Sequence, residues 1–80
     1  MSLRGLLARN LRMLRAKQGL SQEALADIVG IDRTYVSALE RERYAGTVDM
    51  IERLAAALDV EPLALLGGTQ GSARFDSDGA

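Results

Sequence analysis

Apolar residues recur along the first part of the chain at helical rather than strand spacing. Leu3, Leu7, Leu11 and Leu14 fall on one stripe and predict a helix from about Leu3 to Lys17. Gly19 follows the basic residues Arg15 and Lys17, the order expected at a helix C-terminus. Ser21 is placed to cap a second helix, with Leu20 before it and Leu25 inside it as a hydrophobic staple. That helix is short and ends at Gly30. The signal then repeats: Asp32 caps a third helix, with Ile31 and Val36 as the staple. Thr47 caps a fourth, whose inward stripe reads Val48, Ile51, Leu54, Ala55 and Leu58. Pro62 suits the first position of a short fifth helix carrying Leu63, Leu65 and Leu66, which Gly67 and Gly68 close. From Thr69 to Ala80 the chain turns to Gly, Ser, Asp and Gln, with Phe75 as its single aromatic residue. The pattern therefore predicts an all-α domain of five helices over residues 1–68 and a flexible tail over 69–80. No internal repeat and no second domain is visible.

Two short capped helices joined by a tight glycine turn form a helix-turn-helix unit. Ala26 is small where the third helix must cross close to the second, and Ile31, Val36 and Leu39 fill the space beneath. The outer face of the third helix is left with Arg33, Thr34, Ser37, Ala38 and Arg41. It lacks bulky aliphatics and offers donors. Arginine reads guanine O6 and N7 in a bidentate way, Ser and Thr serve either base edge, and Ala meets the thymine methyl. An ordinary solvated helix face would more often mix in Glu and Lys pairs.

Composition narrows the chemistry further. Eighty residues make one domain, close to the lower limit at which a core holds without staples. The chain has neither cysteine nor histidine, which removes disulfides, the usual zinc ligands and the commonest general base. With no phosphate-cradling glycine loop and no metal-ligand spacing, an enzyme is disfavoured and no cofactor, metal or small-molecule ligand is expected. No apolar run approaches the ~20 residues that span a bilayer, and Met1 to Gly5 do not form a secretory signal. A cytoplasmic protein without a membrane partner is the default expectation.

A net charge of −1 is unusual for a nucleic-acid binder, but its distribution is uneven. Residues 1–47 carry eight Lys or Arg against five acids, and residues 48–80 carry two against six, so the two parts stand at +3 and −4. Only charge within about a Debye length acts on a phosphate.

The stretches Leu11–Asp27, Gly30–Arg41 and Ile51–Val60, followed by Pro62 and Leu65-Leu66, resemble the Cro/C1-type (XRE-like) helix-turn-helix regulators with the lambda-repressor-like fold. Within that family, Asp32-Arg33-Thr34-Tyr35-Val36-Ser37 with Leu39-Glu40-Arg41 is most similar to the controller proteins of restriction-modification systems, small dimeric regulators that bind their own promoter. Phage-type repressors and antitoxins share the fold. The resemblance implies that Arg33, Thr34, Ser37 and Ala38 contact bases in the major groove of double-stranded DNA. It implies backbone contacts from Ser21, Gln22, Tyr35, Arg41, Arg43, Tyr44 and Thr47, with Gln22 either touching a phosphate or orienting the recognition helix. Arg15 and Glu40 fall where relatives form an ion pair between the first and third helices. Two positions depart from the family pattern: Glu42 replaces a glycine and Gly46 a proline. Glu42 places a negative charge near the expected phosphate track, and its presence suggests a third helix that runs on past Arg41.

A single such domain makes few base contacts, each worth ~1–3 kcal/mol of discrimination. A homodimer on a palindromic operator doubles the readout. Met50, Leu63, Leu65 and Leu66 form the expected interface, the alternative being that they close the core from below. The rival function is an antitoxin or coactivator-like protein-interaction module, for which an apolar or acidic outer face on the third helix would be expected.

Overall fold

Four helices begin where a side-chain oxygen meets an unpaired amide. In the computed structural model, which describes residues 2–67, α1 spans Leu3–Lys17, α2 Gln22–Val29, α3 Arg33–Glu40, α4 Val48–Leu58 and α5 Leu63–Leu66. Ser21 Oγ accepts from the Ala24 amide at 3.0 Å, Asp32 Oδ1 from Thr34 at 3.1 Å, and Thr47 Oγ1 from Met50 at 3.1 Å. Ser2 does the same for α1, accepting from Gly5 at 3.0 Å, a cap that the apolar pattern did not single out. At α5 the start is set by Pro62 alone, which already has helical torsions. No strand occurs among the described residues.

The first four helices also end alike. Gly19, Gly30, Glu42 and Asp59 all lie in the left-handed region. After three of these turns the next residue is apolar, and Leu20, Ile31 and Val60 pack against the core. Leu20 and Ile31 each precede the next N-cap as well, so one side chain closes one helix and opens another. The turn after α3 follows the same hydrogen-bond scheme but carries Arg43 instead. The Glu42 amide donates to the Leu39 carbonyl at 3.2 Å and the Arg43 amide to Ala38 at 2.8 Å. The expected extension of α3 therefore does not occur. Glu42 takes the left-handed role at φ 62°, at the position where the resemblance implies a glycine, and α3 stops at Glu40.

Helix α1 packs on α3 and α5, and α2 packs on α3 and α4. The shared core contains Leu7, Leu11, Leu25, Val36, Leu39, Leu54, Leu58 and Leu65. Ala26, 2 % exposed, lets α2 and α3 approach closely. Two stripe positions differ from expectation. Leu3 and Val48 are 66 % and 76 % exposed: Leu3 precedes the buried part of α1, and Val48 lies to the side of the buried Met50. On α4 the inward line runs through Met50, Leu54 and Leu58 and leaves Val48 at its edge.

Two polar side chains tie the ends together. Asn10, buried in the middle of the α1 stripe, donates to the carbonyls of Leu65 and Gly67, both at 3.0 Å. Arg53 on α4 donates to the Val29 carbonyl at the end of α2 at 2.8 Å. Each supplies an acceptor that a helix C-terminus leaves unpaired with the donor it lacks. The expected tail, 69–80, lies outside the described residues. No described helix is long and apolar enough to cross a membrane.

Candidate nucleic-acid interface

At about 3.6 residues per turn, Arg33, Thr34, Ser37, Ala38 and Arg41 share one side of α3. Val36 and Leu39 occupy the opposite side and are fully buried. Arg33, Thr34 and Arg41 are exposed, while Ser37 and Ala38 are half-buried. The four expected base-contacting residues are thus brought onto one surface.

Glu40 lies at one edge of that face and is turned inward, its side chain 3 % exposed. Arg15 grips it in a bidentate pair, Nε to Oε2 at 2.7 Å and Nη2 to Oε1 at 3.0 Å. Hydrogen bonding to Glu40 raises the Arg15 pKa, against the opposing effect of burial. The same guanidinium donates to the Leu20 carbonyl at 2.8 Å, which joins the α1–α2 turn to the network. Gln22 donates to Glu40 Oε1 at 3.0 Å and so links α2 to α3. Arg12 adds a bond of 2.6 Å to the Glu40 carbonyl, a contact sequence reasoning missed. Helix α3 is therefore held by α1 and α2 at its C-terminal end, leaving its outer face free of internal partners.

At the other edge stands Tyr35, half-buried against the core. Its ring meets that of Tyr44 edge-on, with centroids 5.5 Å apart and planes at 82°. Tyr35, Tyr44, Arg41 and Arg43 line an open concavity of about 720 Å³ beside α3, with Asp32, Thr34 and Ala38. Arg33, Arg41 and Arg43 make no ion pair among the described residues, where Arg15–Glu40 is the one salt bridge. Ser21 and Thr47, exposed at the starts of α2 and α4, each use a hydroxyl lone pair for capping and keep the hydroxyl proton to donate. Glu42 is exposed between the two loop arginines and pairs with neither.

The expected interface residues separate into two groups. Met50 and Leu65 are 7 % and 0 % exposed within one chain and belong to its core. They face inward because α4 and α5 close the domain from below. Leu63 remains 58 % exposed and Leu66 half-buried.

Comparison with known proteins agrees with this geometry. Residues 11–65 match a helix-turn-helix family model. A hypothetical transcription factor of Neisseria meningitidis is 52 % identical over 64 residues, which cover 80 % of this chain and 60 % of that protein. The chain thus spans less than two thirds of that relative's length. A crystal structure of the hypothetical transcription factor NHTF from Neisseria superposes with a TM-score of 0.84 at 46 % identity, covering 92 % of this chain and 85 % of the other. The control protein C.SmaI of Serratia marcescens is 39 % identical over 66 residues, 82 % of this chain and 79 % of that one. The restriction-modification controller C.AhdI of Aeromonas hydrophila superposes with a TM-score of 0.75 at 44 % identity, covering 78 % of this chain and 94 % of its own. With its capped α2–turn–α3 unit, its polar outer face on α3 and this match, the chain belongs to the helix-turn-helix family of XRE-type DNA-binding transcription regulators.

Proposed function

We propose that the chain acts as a homodimer on a two-fold symmetric operator, with α3 in the major groove, and that it serves as a restriction-modification controller. The observation that carries the reading is the outer face of α3. Arg33, Thr34, Ser37 and Ala38 are presented together while Glu40, held by Arg15 and Gln22, anchors the helix from behind. Arg33 supplies the bidentate donor for guanine, Thr34 and Ser37 supply shorter polar contacts, and Ala38 leaves room for a thymine methyl. Arg41, Arg43 and the hydroxyls of Ser21 and Thr47 meet the flanking phosphates and set the register. Leu63 and Leu66 provide apolar area for an isologous contact, supported from beneath by Met50 and Leu65. Similarity to the control proteins C.SmaI and C.AhdI supports the narrower role. Regulation then follows protein concentration, through dimerisation and operator occupancy.

The test is selection of bound sequences from a random duplex library, followed by titration of the best site at several salt concentrations. A two-fold symmetric consensus and a steep salt slope are expected, with the guanine preference lost in Arg33→Ala. No enriched sequence, and weak binding even at low salt, would overturn the reading.

A further inference from the structure

Seven residues, 41–47, connect α3 to α4 and carry two of the exposed arginines. The start of this loop is held by the turn that closes α3, through the amides of Glu42 and Arg43. Its end is held by the Thr47 cap. Between them, Tyr44 and Ala45 donate no hydrogen bond among the described residues. Gly46 lies against Leu7, Leu39 and Ile51, and the arginine-bearing part before it is restrained by the edge-to-face contact of Tyr44 on Tyr35. Tyr35 is itself fixed, being half-buried against the core on the flank of α3. Tyr44 is 57 % exposed, so its ring adds little to the core, and its contact with Tyr35 sits in the concavity beside the two loop arginines.

We propose that Tyr44 is a positioning residue for DNA binding, which docks the arginine-bearing loop on Tyr35 so that phosphate grip and base reading share one geometry. The proposal rests on the operator reading above. A loop ordered before the encounter loses less freedom on binding, and that saving appears as affinity. The edge-to-face arrangement is one that aromatic quadrupoles favour. It also ties the arginine-bearing part of the loop to the helix that reads bases, so a shift of one is felt by the other.

Two measurements on the full chain test this. In the free protein, hydrogen exchange at the Arg43 amide, which is bonded to the Ala38 carbonyl, should quicken in Tyr44→Ala while the melting temperature barely moves. Tyr44→Phe should restore slow exchange. On the duplex selected by the wild-type protein, Tyr44→Ala should weaken binding about two- to tenfold, the range expected for loss of one aromatic pair. Tyr44→Phe should rescue it, and in a Tyr35→Leu background Tyr44→Ala should add no further loss. Equal weakening by Phe and Ala would mean that the Tyr44 hydroxyl touches DNA directly, and additive losses would mean that the ring does. Either result overturns the positioning role, as does unchanged exchange at Arg43. If the wild-type chain selects no duplex, the operator reading fails, while the exchange measurement still decides whether Tyr44 holds the loop.

Discussion

Glu40 is the residue on which three helices converge: its own α3, α1 through Arg15 on the carboxylate and Arg12 on the main-chain carbonyl, and α2 through Gln22 on the carboxylate. Removing it strands a guanidinium whose side chain is 19 % exposed and leaves the Gln22 amide without its acceptor. Glu40→Ala should therefore cost roughly 3 kcal/mol of stability, as expected when one partner of a buried pair is lost. Urea denaturation measures it, and an unaltered midpoint with lost DNA binding would contradict it. Glu42 offers a second test in which two effects separate. A non-glycine residue in the left-handed region costs about 1 kcal/mol or more, part of which a glycine returns as unfolded-chain entropy. Glu42→Gly should stabilise the domain by about 0.5–1 kcal/mol. Glu42→Gln keeps the strain and removes the charge, so it should leave the melting temperature in place while tightening duplex binding at low salt. At this scale the Arg15–Glu40 pair was legible through the family resemblance. The partners of Gln22 and the Tyr35–Tyr44 contact were not, because nothing in local spacing says which residues meet across helices.

The helices owe their limits to local chemistry, and here the sequence was most legible. Ser21, Asp32 and Thr47 cap as their spacing implied, since the N-cap bond joins residues two or three apart. The end of α3 was misjudged for an equally local reason. Glutamate favours helix interiors, yet the turn geometry that pairs Ala38 with Arg43 forces it to φ 62°. Helix α5 is different, since one turn cannot hold itself together. It depends on Leu65 in the core and on Asn10, whose amide serves two of its terminal carbonyls. Asn10→Ala should cost about 1–3 kcal/mol through those buried acceptors. Amide exchange should quicken in α5 before the rest of the domain, and uniform loosening of all five helices would argue against a local tether. The polar residue inside the α1 stripe was the available signal.

For the whole molecule, charge divides between two halves of the sequence. The basic half contains the outer face of α3 and its loop, and the acidic half contains α4 and α5 with exposed Leu63 and Val48. If dimerisation runs through the surface around Leu63, Leu63→Glu should shift sedimentation equilibrium towards monomer while the helical melt is kept, because Leu63 lies outside the core. Operator affinity should fall with it, and the salt slope per chain should stay the same. A dimer that persists in this variant would move the interface elsewhere.

The sequence by itself determined the all-helical architecture, the starts of α2, α3 and α4 and the set of residues sharing the outer face of α3. These depend on periodicity and on bonds between near neighbours, which a linear chain displays directly. Only the tertiary structure decided that Met50 and Leu65 are core rather than surface, that Gln22 serves Glu40, and that Tyr44 rests on Tyr35. Burial and side-chain partnership depend on which helix lies across from which, and an apolar residue reads the same in sequence whether its neighbour is its own core or a second molecule.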